Sequence, residues 1–197
     1  MIIKLLYLLY HSFKKFERVL NYRIAISAGM KVGENRLFVG LQHFGTERYL
    51  IKFGKNCLIT DGVRFITHDG FIQVPLVEKG ESVAVVYSKK STFGKIIDVN
   101  NVFIGISTIL MPNIEIGDNS FIAASSVVKG GVREGVVLDE SLAKIICTIN
   151  QYYNKNHHII SFSKNSNGRN GRNGRNGRNG RNGRNGRNII ISRLKDI

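Results

Sequence analysis

A period of six residues constrains this chain more than any other feature. Written in sixes from Ile104, the sequence reads Ile104-Gly105-Ile106-Ser107-Thr108-Ile109, Leu110-Met111-Pro112-Asn113-Ile114-Glu115, Ile116-Gly117-Asp118-Asn119-Ser120-Phe121 and Ile122-Ala123-Ala124-Ser125-Ser126-Val127, with Val128 opening another unit. The same frame starts earlier at Phe53 and passes through Ile59 to Phe65. In these hexads the first position is aliphatic or aromatic, and the second is often Gly or Ala. A repeat of this length predicts a parallel β-helix. Each hexad supplies one short strand and one turn, three hexads close a triangular coil, and the first side chain points inward. Gly and Asn fall where the turns need unusual backbone angles. One coil cannot bury its own faces, so coils must stack. The expected fold is an all-β solenoid over residues 24–146.

The frame lapses between Asp69 and Phe93, and residues 71–93, with Pro75 and Gly80, read as a loop leaving the coil. Structureless loops of this length are mostly functional or disordered. Residues 1–23 read as an amphipathic helix. At about 100° per residue, Ile2, Leu5, Leu6, Leu9, Phe13, Phe16 and Leu20 share one face, and Lys4, His11, Lys14, Lys15 and Arg18 gather opposite. Packing against the main domain is the expected use of that stripe. Peripheral contact with an anionic membrane surface is the alternative. His11, Lys14 and Lys15 stand where a leader peptide would have its cleavage site, which argues against a leader. No run approaches the ~20 apolar residues of a membrane span.

After the solenoid, residues 142–153 read as a short helix capping the stack, within a C-terminal helical segment placed at 147–165. From 167 to 187 the triplet Asn-Gly-Arg repeats seven times without error. It has nothing to pack and reads as a disordered tail over 166–197. Lys and Arg number 29 against 14 Asp and Glu, a formal charge of +15, and removing the seven repeat arginines leaves +8. That balance favours an anionic partner without making nucleic acid the expectation. The two cysteines, Cys57 and Cys147, have no metal-type spacing and suit a reduced cytoplasmic protein.

The stretches Tyr49-Leu50-Ile51-Lys52-Phe53-Gly54, Gly62-Val63-Arg64-Phe65-Ile66-Thr67-His68-Asp69-Gly70, Asn100-Asn101-Val102-Phe103-Ile104-Gly105 and Ile116-Gly117-Asp118-Asn119 resemble the hexapeptide-repeat acetyltransferases. Those that O-acetylate bacterial capsule, lipopolysaccharide and other glycans are the nearest in pattern. Hexads alone specify only a fold; the Phe-Ile-Thr-His-Asp-Gly segment followed by an insertion narrows the resemblance to acetyl transfer. It implies a left-handed β-helix that forms homotrimers, with acetyl-CoA bound between subunits as the donor, no metal, and a sugar or polysaccharide acceptor.

By the same resemblance His68 is the catalytic base. The chemistry agrees, because a sugar hydroxyl must lose its proton as it attacks a thioester and imidazole exchanges protons near neutrality. Ser107 is the candidate donor to the developing oxyanion. Phe103 matches the aromatic position packed against the coenzyme, Ala123 and Ala124 the small residues along its pantetheine arm, and Lys129 a basic residue for its phosphates. Asp61 and Asp69 could each orient His68, and sequence does not choose between them. His157 and His158 lack a third ligand at metal spacing and read as exposed.

Three places depart from the family pattern. Asp98 occupies an inward first position and Val99 stands where Gly is expected. Lys129-Gly130-Gly131-Val132-Arg133 replaces a Thr-Lys-Pro type of segment, and Asp139-Glu140-Ser141-Leu142-Ala143-Lys144 replaces the closing Ala-Gly-Asn-Pro-Ala-Lys turn. An unpaired buried carboxylate would cost several kcal/mol, so Asp98 must be paired, protonated or turned outward. The leading expectation is an acetyl-CoA-dependent O-acetyltransferase of a bacterial surface glycan. N-acetylation of an amino sugar, or a degraded β-helix that binds anions through its arginine-rich tail, are the rivals.

Overall fold

In the computed structural model, which describes residues 2–159 apart from 90 and 99, each hexad is a strand of two or three residues followed by a turn. Three parallel sheets result. The first stacks Lys31–Val32, Ile51–Phe53, Ile96–Asp98 and Ile114–Ile116, and the second Arg64–Phe65, Ile109–Leu110 and Val127–Val128. The third stacks Leu37–Phe38, Leu58–Ile59, Phe103–Ile104, Phe121–Ile122 and Val136–Asp139. Register sets the hexad first positions above one another in three columns: Phe53, Asp98 and Ile116; Ile59, Ile104 and Ile122; Phe65, Leu110 and Val128. All of them are buried. Each apolar member contributes roughly 1.5–3 kcal/mol of burial, so the six-residue frame is the core of the protein.

The corners explain the polar part of the repeat. Asn35, Asn56, Asn101 and Asn119 stack at the first corner with φ of 50°, 59°, 56° and 57°. Asn tolerates this left-handed geometry better than other residues with a side chain. Its amides also form a ladder: Asn35 Nδ2 donates to Asn56 Oδ1 at 2.6 Å, and Asn101 Nδ2 to Asn119 Oδ1 at 2.7 Å. The second corner stacks Gly62, Ser107 and Ser125, again at positive φ. Gly105 precedes that corner, where a Cβ would lie 2.5 Å from the backbone nitrogen of Ala124, so only glycine fits between the coils.

At the third corner the period breaks twice. Phe44 stacks on Phe65 with ring centroids 5.5 Å apart, yet nine residues separate it from Phe53 where the later coil from Leu110 to Ile116 needs six. The surplus includes the 3-10 turn Arg48–Leu50. One coil on, residues 66–95 leave the same corner. His68–Asp69 pairs antiparallel with Thr92–Phe93 at the root of this excursion. The 71–93 segment is not the open loop its composition predicts: it carries two short helices, α2 (Gln73–Glu78) and α3 (Val83–Lys89). Burial of Val86 gives the second helix an apolar anchor.

Two boundaries differ from the sequence reading. Residues 144–148 form a strand antiparallel to Val136–Asp139, and the following helix, α4 (Ile149–Asn156), starts only after Thr148. Lys144-Ile145-Ile146-Cys147-Thr148 contains β-branched residues facing an open sheet edge, which favours pairing. Thr148 then closes a capping box with Gln151. α4 lies over the outer face of the third sheet, where Tyr152 stacks on Phe121 at 5.4 Å, rather than across the end of the stack. The Asn-Gly-Arg repeat and the tail reading lie outside the described residues, as does Val99.

The first helix, α1 (Ile2–Ser27), runs four residues past its expected end. It does not bury its apolar stripe. Ala25 is its one buried residue, Tyr22 meets Phe38 at a tilt with ring centroids 5.4 Å apart, and Asn21 Nδ2 donates to the Gln42 carbonyl at 2.9 Å. These contacts lie on the polar side of the helix, whereas Leu5, Leu6, Leu9, Phe13 and Phe16 are exposed. Packing of the stripe against the chain's own solenoid is therefore corrected: small and hydrogen-bonding residues made the closer fit.

Asp98 is 1% exposed, between Phe53 and Ile116 in the first column. It is not turned outward, and neither carboxylate oxygen has a hydrogen-bond partner of normal geometry among the described residues. Burial, with a smaller contribution from Asp118, pushes its carboxyl up to about 7, against a lowering influence of the Cys57 thiol.

Candidate functional site

Both interruptions of the six-residue frame lie at one edge of the prism, and the chemistry collects there. Registers in the first two coils are offset by 21 residues, as in Val32 over Phe53 and His43 over Arg64. Glu47 and His68 are separated by the same 21. The offset stacks them: His68 Nδ1 lies 2.9 Å from Glu47 Oε2. The hydroxyl of buried Thr67 donates to the same oxygen at 2.6 Å, and that of Thr46 donates to Oε1 at 2.6 Å.

Burial by itself would raise the Glu47 carboxyl. The hydrogen bonds from Thr46, Thr67 and His68 outweigh it and bring the group down to about 2. Glu47 is therefore an ionised acceptor, and the His68 nitrogen facing it must carry hydrogen. That leaves the Nε2 lone pair on the opposite edge of the ring, free to accept a proton. The His68 side chain is 47% exposed and Glu47 only 17%, so the carboxylate is sheltered and the imidazole is accessible. Phe93, from the returning strand, lies beside the imidazole with ring centroids 6.1 Å apart.

Glu47 is the residue that sequence reasoning missed. Neither alternative partner takes its place: Asp69 Oδ1 accepts from the Phe71 backbone, and Asp61 Oδ1 from the Leu41 backbone. We expect Glu47→Gln to lower the turnover number about tenfold or more, with a much smaller change in KM, because the amide can still accept from Nδ1 but no longer balances a charged imidazole. Steady-state kinetics at saturating acceptor will measure it.

The other sequence candidates occupy different parts of the prism. Ser107 stands exposed at the second corner, where its backbone nitrogen donates to the Asp61 carbonyl. Ala123 and Ala124 share that corner. Lys129 follows the strand Val127–Val128 and lies exposed on the same edge as His68, further along the stack. Phe103 stacks on Phe121 at 4.8 Å on the outer face of the third sheet. Among the described residues no hydrogen bond joins any of these to His68. His157 and His158 are exposed on a 3-10 turn.

The frame has a counterpart in known proteins. The family described as bacterial transferase hexapeptide (six repeats) matches residues 100–130. Protein CapG of Staphylococcus aureus is 35% identical over 129 residues, covering 64% of this chain and 70% of that protein. The galactoside O-acetyltransferase of Escherichia coli K12 is 32% identical over 117 residues, covering 57% of this chain and about half, 53%, of the enzyme. Among solved structures, a hexapeptide-repeat-containing acetyltransferase from Vibrio cholerae aligns at a TM-score of 0.49 and 17% identity, over 67% of this chain and 81% of that one. The chain belongs to the hexapeptide-repeat acetyltransferase family.

Proposed function

We propose that this protein transfers an acetyl group from acetyl-CoA to a sugar hydroxyl of a bacterial surface polysaccharide or its precursor. The observation that carries the reading is the Glu47–His68 pair, an ionised carboxylate that fixes one imidazole nitrogen and frees the other. Likeness to an enzyme named for O-acetylating a galactoside supports a hydroxyl acceptor.

His68 Nε2 takes the proton of the acceptor hydroxyl as its oxygen attacks the thioester carbonyl, and returns it to the departing thiolate. Glu47 stays ionised throughout and stabilises the imidazolium formed in between. Ser107 supplies the donor for the oxyanion. The donor would be held by Ala123 and Ala124, whose small side chains leave the second corner open, with Phe103 beside its coenzyme and Lys129 toward its phosphates. Ser107 and His68 stand at different corners of one prism. The two act on one substrate only if a neighbouring copy brings its second corner to the first, which supports the homotrimer with the donor between subunits that the family resemblance implies for a left-handed β-helix. Two cysteines far apart in sequence, Cys57 and Cys147, suit a reducing compartment such as the cytoplasm.

The test is thiol release from acetyl-CoA in the presence of a panel of sugars bearing hydroxyls or amines. Release that requires a hydroxyl sugar supports the proposal. Release with amino sugars alone transfers the reading to N-acetylation, and neither release nor coenzyme binding would remove it.

A further inference from the structure

The apolar stripe of α1 remains without a partner in this chain, and its geometry identifies what it fits. At about 100° per residue, Ile2, Leu6, Leu9, Phe13, Phe16 and Leu20 lie within about 40° of one line along the helix. All six are exposed, Leu9 at 58% and Phe13 at 64%. Asn21, Tyr22 and Ala25, which hold α1 to the solenoid, lie roughly 100–200° from that line. The helix is thus pinned near its C-terminal end, while residues 2–16 are exposed on every face and carry the stripe clear of the solenoid over about 22 Å, at 1.5 Å per residue.

Charge selects the occupant. α1 carries Lys4, Lys14, Lys15, Arg18 and Arg23 against the single acid Glu17, a net +4. A second copy packed stripe to stripe would add another +4 to the same pair of helices without neutralising either. An anionic surface would be attracted instead, and every basic residue on a helix of about 10 Å diameter lies within roughly one Debye length of a surface under the stripe. Arg23 is exposed and, at about 60° from the stripe, borders it directly. Among the described residues no helix is long and apolar enough to cross a membrane, so the stripe can lie on a bilayer but not span it. We propose that α1 seats the protein on an anionic lipid bilayer, stripe down, with the solenoid held above by Asn21, Tyr22 and Ala25. This does not depend on the proposed chemistry.

The experiment is cosedimentation of the full chain with vesicles of phosphatidylcholine, with and without phosphatidylglycerol, alongside light scattering for oligomeric state. We expect at least tenfold tighter binding to the phosphatidylglycerol vesicles. Leu9→Glu with Phe13→Glu should abolish it without changing oligomeric state or helical circular dichroism, since both side chains are exposed. Lys14→Glu with Lys15→Glu should weaken it severalfold and flatten its salt dependence. Unchanged binding by the Leu9/Phe13 variant would assign any attachment to the arginine repeat and overturn the proposal. Dissociation of that variant into smaller species would also overturn it, making the stripe a contact between copies.

Discussion

Replacing His68 with alanine is expected to lower acetyl transfer by about 10²–10⁴-fold, the usual contribution of a positioned general base, with donor binding largely retained. The donor-binding candidates, Phe103, Ala123, Ala124 and Lys129, are separate from the imidazole in sequence. The substitution should be benign for the fold, because the ring is half-exposed at the root of the 66–95 excursion and is bonded to Glu47 rather than to the core. Thiol release by purified variant and wild type, with coenzyme affinity measured in parallel, decides it. Transfer surviving at more than a tenth of the wild-type rate would displace His68 from its role. The smaller loss expected for Glu47→Gln completes the series: removing the base should cost more than neutralising the group that orients it.

The second large effect concerns stability. The carboxyl of Asp98, ordinarily at 3.8, stands at about 7 because it is enclosed between Phe53 and Ile116. The folded state therefore holds this proton more tightly than the unfolded chain. Between about pH 4 and pH 7 the unfolded chain has released it while the folded protein keeps it, so stability falls as pH rises through that window. A gap of about three pH units corresponds to roughly 4 kcal/mol above pH 7. Asp98→Val should recover most of that at pH 8 and little of it at pH 4. Asp98→Asn should abolish the pH-dependent part while leaving an unpaired amide in the core. Urea unfolding of the three proteins at pH 4, 6 and 8 gives the difference directly, and a Val variant no more stable than wild type at pH 8 would show that the carboxyl had found relief elsewhere.

This aspartate shows how a departure from a repeat can be legible without its outcome being so. The six-residue frame marked Asp98 as inward-facing, and left open whether it was paired, protonated or displaced. The parallel register of the first sheet removes displacement, since the strand Ile96–Asp98 is held on both sides. His68 was singled out through a resemblance, because Phe65-Ile66-Thr67-His68-Asp69-Gly70 matches the acetyltransferase pattern just where the frame stops. Glu47 was not, because the surplus residues between Phe44 and Phe53 hide the frame in the first coil. Only an offset of 21, visible once Val32 and Phe53 are seen to stack, places it beside the histidine. The amphipathic stripe of α1 was equally plain in sequence, yet periodicity identifies an apolar face and not what covers it.

By itself, the sequence determined the β-helix, its inward columns and its corner asparagines. These follow from local rules, alternation of buried and turn positions every six residues, that each hexad obeys without reference to the others. Tertiary structure alone decided the partner of His68, the burial of Asp98 and the outward aim of α1. The first two depend on which coil lies against which, a register seen in the parallel pairing of Val32 with Phe53, His43 with Arg64 and Asp98 with Phe53 and Ile116; the third depends on the contacts of Asn21 and Tyr22 with the solenoid.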